Sequence, residues 1–470
     1  MNDRARYAVV DQGSTSTKCA LCDASGVAYS EVSEPTPRKL RDGRIEVDAE
    51  EIAAGVIRLL DRVLASGPVA AIGVTCQRST CLVWDRHNGN AITPALSWQD
   101  TSQTSRIEAL ADHAEGVAEK TGLRLSPHYA APKLAALLDD LPDGRERAQR
   151  GEIVFGTLDA FLLHRLTGTP ATEPGHAGRT LLYNLSQGTW DTELCELFGV
   201  PQQGLPDLRA SAGNWGSYRG IPITAVAGDQ QAALIGHGGW DGGTVATHFG
   251  TGAFVLASTG PRPRRDDRLL SAVVASTGAG RRFQLEGSVN SAGATVDWAC
   301  KLTGEKLGGW IDRRIEPEAL PWVVPALAGL GAPWWRPRAR GVVRGLDLAT
   351  RGSHLVGGAL FGIAMRVIDN LEALADAGIA FDTVRLSGKM TRLKGLVGLI
   401  SDASGKVVDV SKAEETGLAG ICHLAASGLH GSEDPLGVAA PISARRKPHW
   451  EASKAEDLRR RWLELIDSIE

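Results

Sequence analysis

The sequence lacks any apolar run near the roughly 18 residues that cross a bilayer, and its N-terminus has no apolar signal core. It also lacks an excess of one charge. Its 51 basic and 55 acidic residues leave a formal net charge of -4, which gives no field to gather nucleic acid or an anionic membrane. Basic runs such as Arg262–Arg268 and Arg445–Lys447 are short and read as solvated loops. The seven cysteines are an odd number, and a chain of 470 residues needs no covalent staples. Cys19-x-x-Cys22 has neither a second such pair nor clustered histidines, so it reads as two strand thiols rather than a zinc or redox site. These absences predict a soluble cytoplasmic protein with no nucleic-acid or membrane partner.

At roughly 100–200 residues per domain, the length allows two or three domains. The opening predicts a strand at Tyr7–Val10, a polar turn at Gln12–Thr17 and a strand at Lys18–Cys22. Apolar residues at Ile52, Val56, Leu59, Leu60 and Val63 predict a helix over Ala49–Ser66. Helices and strands alternate to about residue 235, which implies α/β structure around one mixed sheet. The Gly-rich stretch 237–243 is either a hinge or a surface loop. After it the opening pattern returns: strand Thr244–Phe249, turn Gly250-Thr-Gly252, strand Ala253–Ser258. Two similarly wound lobes are expected, followed by an amphipathic helix at Lys454–Ile469 that packs on the body or meets a partner.

Four local patterns could carry chemistry. In Asp11-Gln-Gly-Ser-Thr-Ser-Thr-Lys18 a carboxylate ends a strand, and a small, hydroxyl-rich turn and a cation follow. Such a turn can present N–H and hydroxyl donors to phosphate, with the carboxylate on Mg²⁺, although a plain polar hairpin has the same composition. His248-Phe-Gly-Thr-Gly-Ala-Phe254 is a second turn of this kind. Asp229 follows the predicted strand Ile223–Val226, at the strand end where α/β sheets bind ligands. It reads as a general base or as a helix N-cap. Arg78 and Trp98 suit a small polyhydroxylated ligand, or are a surface Arg and a core Trp.

In chain order the sequence contains Val10-Asp-Gln-Gly-Ser-Thr-Ser16, Ala71-Ile-Gly-Val-Thr-Cys-Gln-Arg-Ser-Thr80, Phe155-Gly-Thr-Leu-Asp159, Gly178-Arg-Thr180, Ala227-Gly-Asp-Gln-Gln-Ala-Ala-Leu234, Phe249-Gly-Thr-Gly252, Leu285-Glu-Gly287, Gly329-Leu-Gly-Ala-Pro-Trp-Trp335 and Ala339-Arg-Gly341. This set resembles the FGGY family of carbohydrate kinases, and within it the glycerol kinase branch, over nearly the whole chain. The resemblance implies two actin-like (ribonuclease-H-like) lobes with mixed sheets and an interlobe cleft. Residues 1–237 would form the acceptor and phosphate lobe, 238–450 the nucleotide lobe and 451–470 a packing helix. The implied activity is transfer of the ATP γ-phosphoryl group, with Mg²⁺, to a terminal hydroxyl of a small polyol or sugar. Homodimerisation stays open.

The same resemblance assigns the acceptor to Arg78, Ser79, Trp98, Tyr129, Asp229, Gln230 and Phe254, with Asp229 as base. Ser14, Thr15, Ser16, Lys18 and Thr251 would meet phosphates, Asp11 would organise Mg²⁺, and Gly293, Asp297, Gly388, Lys389 and Leu393 would lie by the nucleotide. Several positions depart from the family pattern. Ser79 replaces a Glu, Lys18 an Arg, Asp297 a Gln and Arg336 an Asp. Ser387-Gly388-Lys389 replaces Asp-Gly-Gly, and Leu393 replaces an Asn. Apart from Ser79, these departures gather around the nucleotide, and they leave two alternatives open: a polyol-binding regulatory protein, or a kinase with another phosphoryl donor.

Overall fold

The computed structural model describes residues 6–36, 38–41, 43–435 and 439–469. Its first large sheet has six strands in the order Ser217–Tyr218, Ile221–Gly228, Ala71–Cys76, Arg6–Gln12, Ser16–Asp23, Ala28–Pro35. The strands Ile221–Gly228, Ala71–Cys76 and Arg6–Gln12 run parallel, and the next two continue antiparallel as a meander. The second large sheet has seven strands and repeats this plan. Val245–Phe249 pairs antiparallel with Ala253–Gly260 and parallel with Thr383–Ser387, which pairs parallel with Val407–Ser411. Each half therefore begins with a hairpin whose first strand carries the parallel strands at its other edge.

The predicted helix forms at Ala49–Leu64. Asp48 caps it by accepting from Glu51 N at 3.1 Å, and the apolar stripe is buried as expected. One expectation needs correction. The first half holds a second sheet as well, five antiparallel strands in the order Arg38–Arg41, Arg44–Val47, Ala95–Leu96, Cys81–Asp85, Ile153–Thr157. Several of these strands are too short, or too charged, to show a two-residue period.

The Cys19 and Cys22 thiols are unpaired and buried on opposite faces of their strand, in two different apolar clusters. Facing apart, they cannot hold one metal.

Helices Asp229–Gly236 and Thr416–His430 lie between the two large sheets, packed with Val9 and Ala20 on one side and Ala246 and Leu256 on the other. The helices meet backbone to backbone: a Cβ at Gly420 would stand 1.8 Å from the Ala232 carbonyl oxygen. A helix from late in the chain thus packs against the sheet that opens it. The C-terminal helix, Ala452–Asp467, buries Leu458, Trp462, Leu465 and Ile466 in the core of the second half.

Candidate active site

The strand Ile221–Gly228 ends at Gly228, and Asp229 is the first residue of the helix that follows, with Gly228 rather than Asp229 at the N-cap. The Asp229 carboxylate accepts from Gln230 N at 2.8 Å and from Gln230 Nε2 at 3.3 Å. Its Oδ1 lies 3.4 Å from Arg78 Nε, and a third of the side chain remains exposed (33%). It is therefore anchored on one side and open on the other.

Arg78 projects from the end of Ala71–Cys76 and places its guanidinium 5.5 Å from the Phe254 ring centroid, a cation–π contact. Its remaining nitrogens meet Glu286 on the second sheet, at 2.7 and 3.2 Å. Glu286 also binds Arg179, which lies beside Tyr129, and accepts from Gln284 Nε2 at 3.1 Å. Burial alone would raise the Glu286 pKa, but Arg179 and Arg78 outweigh it and hold the carboxyl below its ordinary value. Burial, then the neighbouring Arg78, lowers the Arg179 pKa. Arg179 and Glu286 lay within quoted motifs, yet no role was expected of either. Their ion pair joins residues 107 positions apart, so no local pattern could disclose it.

Ser79 has φ +65° and its hydroxyl donates to the Arg179 carbonyl oxygen at 3.3 Å. Lys133 Nζ is buried beneath this loop and donates to the carbonyls of Ser79, Ser97 and His128, each at 2.9 Å. It thereby fixes the segments that carry Ser79, Trp98 and Tyr129. Trp98 is half-buried and Tyr129 buried. Among the described residues, Arg179 Nε and Gln230 Oε1 are buried without a hydrogen-bond partner. A donor and an acceptor are thus unspent in the group around Arg78, and Gln284 Oε1 beside Glu286 is a further unpartnered acceptor.

The two hydroxyl turns close on themselves. Gly13 N donates to Ser16 O at 2.9 Å, and Gly250 N to Gly252 O at 2.8 Å. The first turn is shorter than the sequence implied, because the second strand already begins at Ser16. Gly293 N and Ala294 N, at the start of helix Gly293–Thr303, donate to Gly250 O and Thr251 O at 3.2 and 3.0 Å. Ser14 and Ser16 are half-buried, whereas Thr15 and Thr251 are exposed.

Asp11 pairs in register with Lys18 across the first hairpin. Burial, and then the nearby Glu415, push its pKa up to about 7, against the pull of Lys18. A buried carboxylate with Glu415, Asp229 and Glu31 acting on it and only Lys18 opposing them fits a hard divalent cation. Among the described residues no group of three or more His, Cys, Asp and Glu side chains is placed to hold a metal. This donor set suits a cation that arrives on phosphate oxygens. Asp11, the two turns and Lys18 together fit Mg²⁺ and a polyphosphate.

The nucleotide-side positions separate. Gly388, at φ +95°, packs so closely that a Cβ would stand 2.1 Å from the Phe249 carbonyl oxygen. Lys389 and Asp297 are exposed. Leu393 does not face the cleft as its place in the motif implied, because its apolar side chain is buried in the core, 2% exposed. Arg336 also leaves the group of ligand-facing departures. It stacks on Trp334 and donates to the carbonyls of Ile466 and Ile469, both at 2.8 Å, so it pins the C-terminal helix. Ser387, where the family pattern has Asp, takes contacts from His237 Nε2 and His248 Nδ1, each at 3.0 Å.

The N-terminal domain of the FGGY family of carbohydrate kinases matches residues 6–236, and the C-terminal domain matches residues 245–429. The glycerol kinase of Alcanivorax borkumensis is 37% identical over 441 residues, 89% of each chain. That of Citrifermentans bemidjiense is 36% identical over 97% of each chain. Among solved structures, a Plasmodium falciparum glycerol kinase with ADP superposes with a TM-score of 0.89 at 26% identity, covering 98% of both chains. A xylulose kinase from Brucella ovis gives the same TM-score and coverage at 19% identity, which speaks for the fold alone. No helix among the described residues is long and apolar enough to cross a membrane. With both domains matched in order and relatives aligned over nearly its full length, the chain belongs to the FGGY family of carbohydrate kinases, ATP-dependent phosphotransferases that act on an alcohol group.

Proposed function

We propose that this kinase phosphorylates a terminal hydroxyl of a small polyol or sugar of the glycerol type, with Asp229 as general base. The observation that carries this reading is the placement of Asp229, 3.4 Å from Arg78 Nε, anchored by Gln230 and open on its other side. A hydroxyl bound against Arg78 would have its proton within reach of the Asp229 carboxylate as its oxygen attacks. The unspent Arg179 Nε and Gln230 Oε1 supply a donor and an acceptor for further hydroxyls, and the Phe254 and Trp98 rings offer apolar walls. Ser14, Thr15, Ser16, Lys18 and Thr251 would bind the donor's phosphates, Asp11 would hold its cation, and Gly388 and Lys389 would border the nucleotide. The bound Mg²⁺ would neutralise charge on the transferring phosphoryl group.

In this reading residues 1–237 serve the acceptor, 238–450 the nucleotide and 451–470 packing. Seven unpaired cysteines support a reducing, cytoplasmic setting.

The experiment is phosphoryl transfer from MgATP across three- to five-carbon polyols, ketoses and sugar acids. Turnover of a glycerol-like polyol is expected. A folded protein that binds a polyol and turns over none of the panel refutes the reading.

A further inference from the structure

The cation of the first phosphate turn already has a partner. Lys18 Nζ lies 2.7 Å from Glu415 Oε1, although the two residues are 397 positions apart. Glu415 immediately precedes helix Thr416–His430, one of the two helices between the sheets, and its side chain makes no capping bond to it. Its neighbour Glu414 accepts from Gly388 N at 3.1 Å and binds Arg392, which fixes this corner against the Gly388–Lys389 turn. Both members of the pair remain in contact with solvent, Lys18 at 20% and Glu415 at 38% exposure. His248 and Lys389 also act on the Glu415 carboxylate, and Asp11 and Lys18 stand together across the first hairpin.

A polyphosphate that reaches Lys18 must therefore take it from Glu415 or share it. If Lys18 turns to the phosphate, the carboxylate is left among oxygens of its own sign. We propose that Glu415 competes with the donor's phosphate groups for Lys18 and so sets the affinity of the donor site. Ser14–Ser16 and Thr251, with Asp11 acting through the donor's Mg²⁺, would attract the donor as before, while the Glu415 carboxylate opposes it through Lys18. Glu415 is thus a positioning residue. The inference rests on the donor-site reading given above.

The test is calorimetric binding of MgADP to the full chain, with folding checked by circular dichroism. Glu415→Gln frees Lys18 and is expected to tighten MgADP by roughly two- to five-fold, the range of a partly exposed ion pair. Glu415→Asp, which keeps the charge, should stay nearer the native affinity than Glu415→Gln. In a Lys18→Met background the gain from Glu415→Gln should shrink to less than about two-fold, because the contested cation is gone. Weaker or unchanged binding in Glu415→Gln overturns the proposal, as does an equal gain in the Lys18→Met background. If the native chain binds MgADP and loses affinity in Lys18→Met but does not respond to Glu415→Gln, this inference falls and the donor site stands. If no variant binds MgADP, both fall.

Discussion

Arg78 of the first sheet and Glu286 of the second form a two-point ion pair across the cleft, with Nη1–Oε2 at 2.7 Å and Nη2–Oε1 at 3.2 Å. Glu286 is 2% exposed and also holds Arg179. Removing its charge strands two buried guanidiniums. Glu286→Gln is expected to cost about 3–5 kcal/mol of stability, the range for breaking a buried pair, and to weaken acceptor binding. Urea unfolding checks the first effect, and a loss below about 1 kcal/mol would contradict it.

Asp229→Asn keeps the shape and one accepting oxygen, enough for the Gln230 N–H, but removes the proton acceptor. Turnover should fall by about 10²–10⁴-fold, the range for a general base, with little change in unfolding midpoint or in MgADP affinity. Activity within a few-fold of native would show that another group takes the proton.

Ser79→Glu returns a carboxylate to the rim of the acceptor group, beside Arg78 and Arg179. A charged hydrogen bond to a substrate hydroxyl is worth about 1.5–3 kcal/mol, so kcat/KM for glycerol should rise tens-fold if glycerol is a poor native substrate. The left-handed φ of +65° at this position strains Glu and Ser alike, so the comparison isolates the side chain. No gain for glycerol, with a loss for a larger or more oxidised substrate, would mean that the space left by Ser79 is itself the specificity element.

His237 is buried beside the Ser387 hydroxyl, and burial, then His248, push its pKa down to about 3. The folded state keeps it neutral, whereas the unfolded chain takes up a proton near the ordinary value of about 6.5. The unfolded state thus binds more protons between these values, and stability falls as pH drops from about 6.5 towards 3. Native protein should lose about 2 kcal/mol more than His237→Gln between pH 7 and pH 5. Parallel pH profiles of the two proteins in urea would rule this out.

Asp369 is 1% exposed and gathers Arg366, Arg459, Trp334 Nε1 at 2.9 Å and Trp462 Nε1 at 3.2 Å. It ties the C-terminal helix to the second half. Asp369→Ala should cost about 3–5 kcal/mol, since it leaves a buried guanidinium and two indole N–H groups unpaired. A melting temperature within about 2 °C of native would show that the helix is held by apolar packing alone.

Local composition determined much of this protein. The hydroxyl turns, the Asp at the end of a strand and the repeated strand–turn–strand opening are short-range patterns. Their chemistry depends on neighbours in sequence, and their order along the chain carried the family resemblance. The stripe of helix Ala49–Leu64 and the closing amphipathic helix were legible for the same reason, because periodic burial writes itself into the sequence. Only the tertiary structure decided which charges meet. Glu286 joins Arg78 and Arg179, and Glu415 joins Lys18, over separations no periodicity records. It also decided which departures matter: Leu393 turns into the core and Arg336 grips a helix end, while Ser79, Lys18 and Lys389 remain around the cleft. The physical reason is the same in each case. A buried charge must find a partner wherever the fold provides one, and that partner is a property of packing rather than of local sequence.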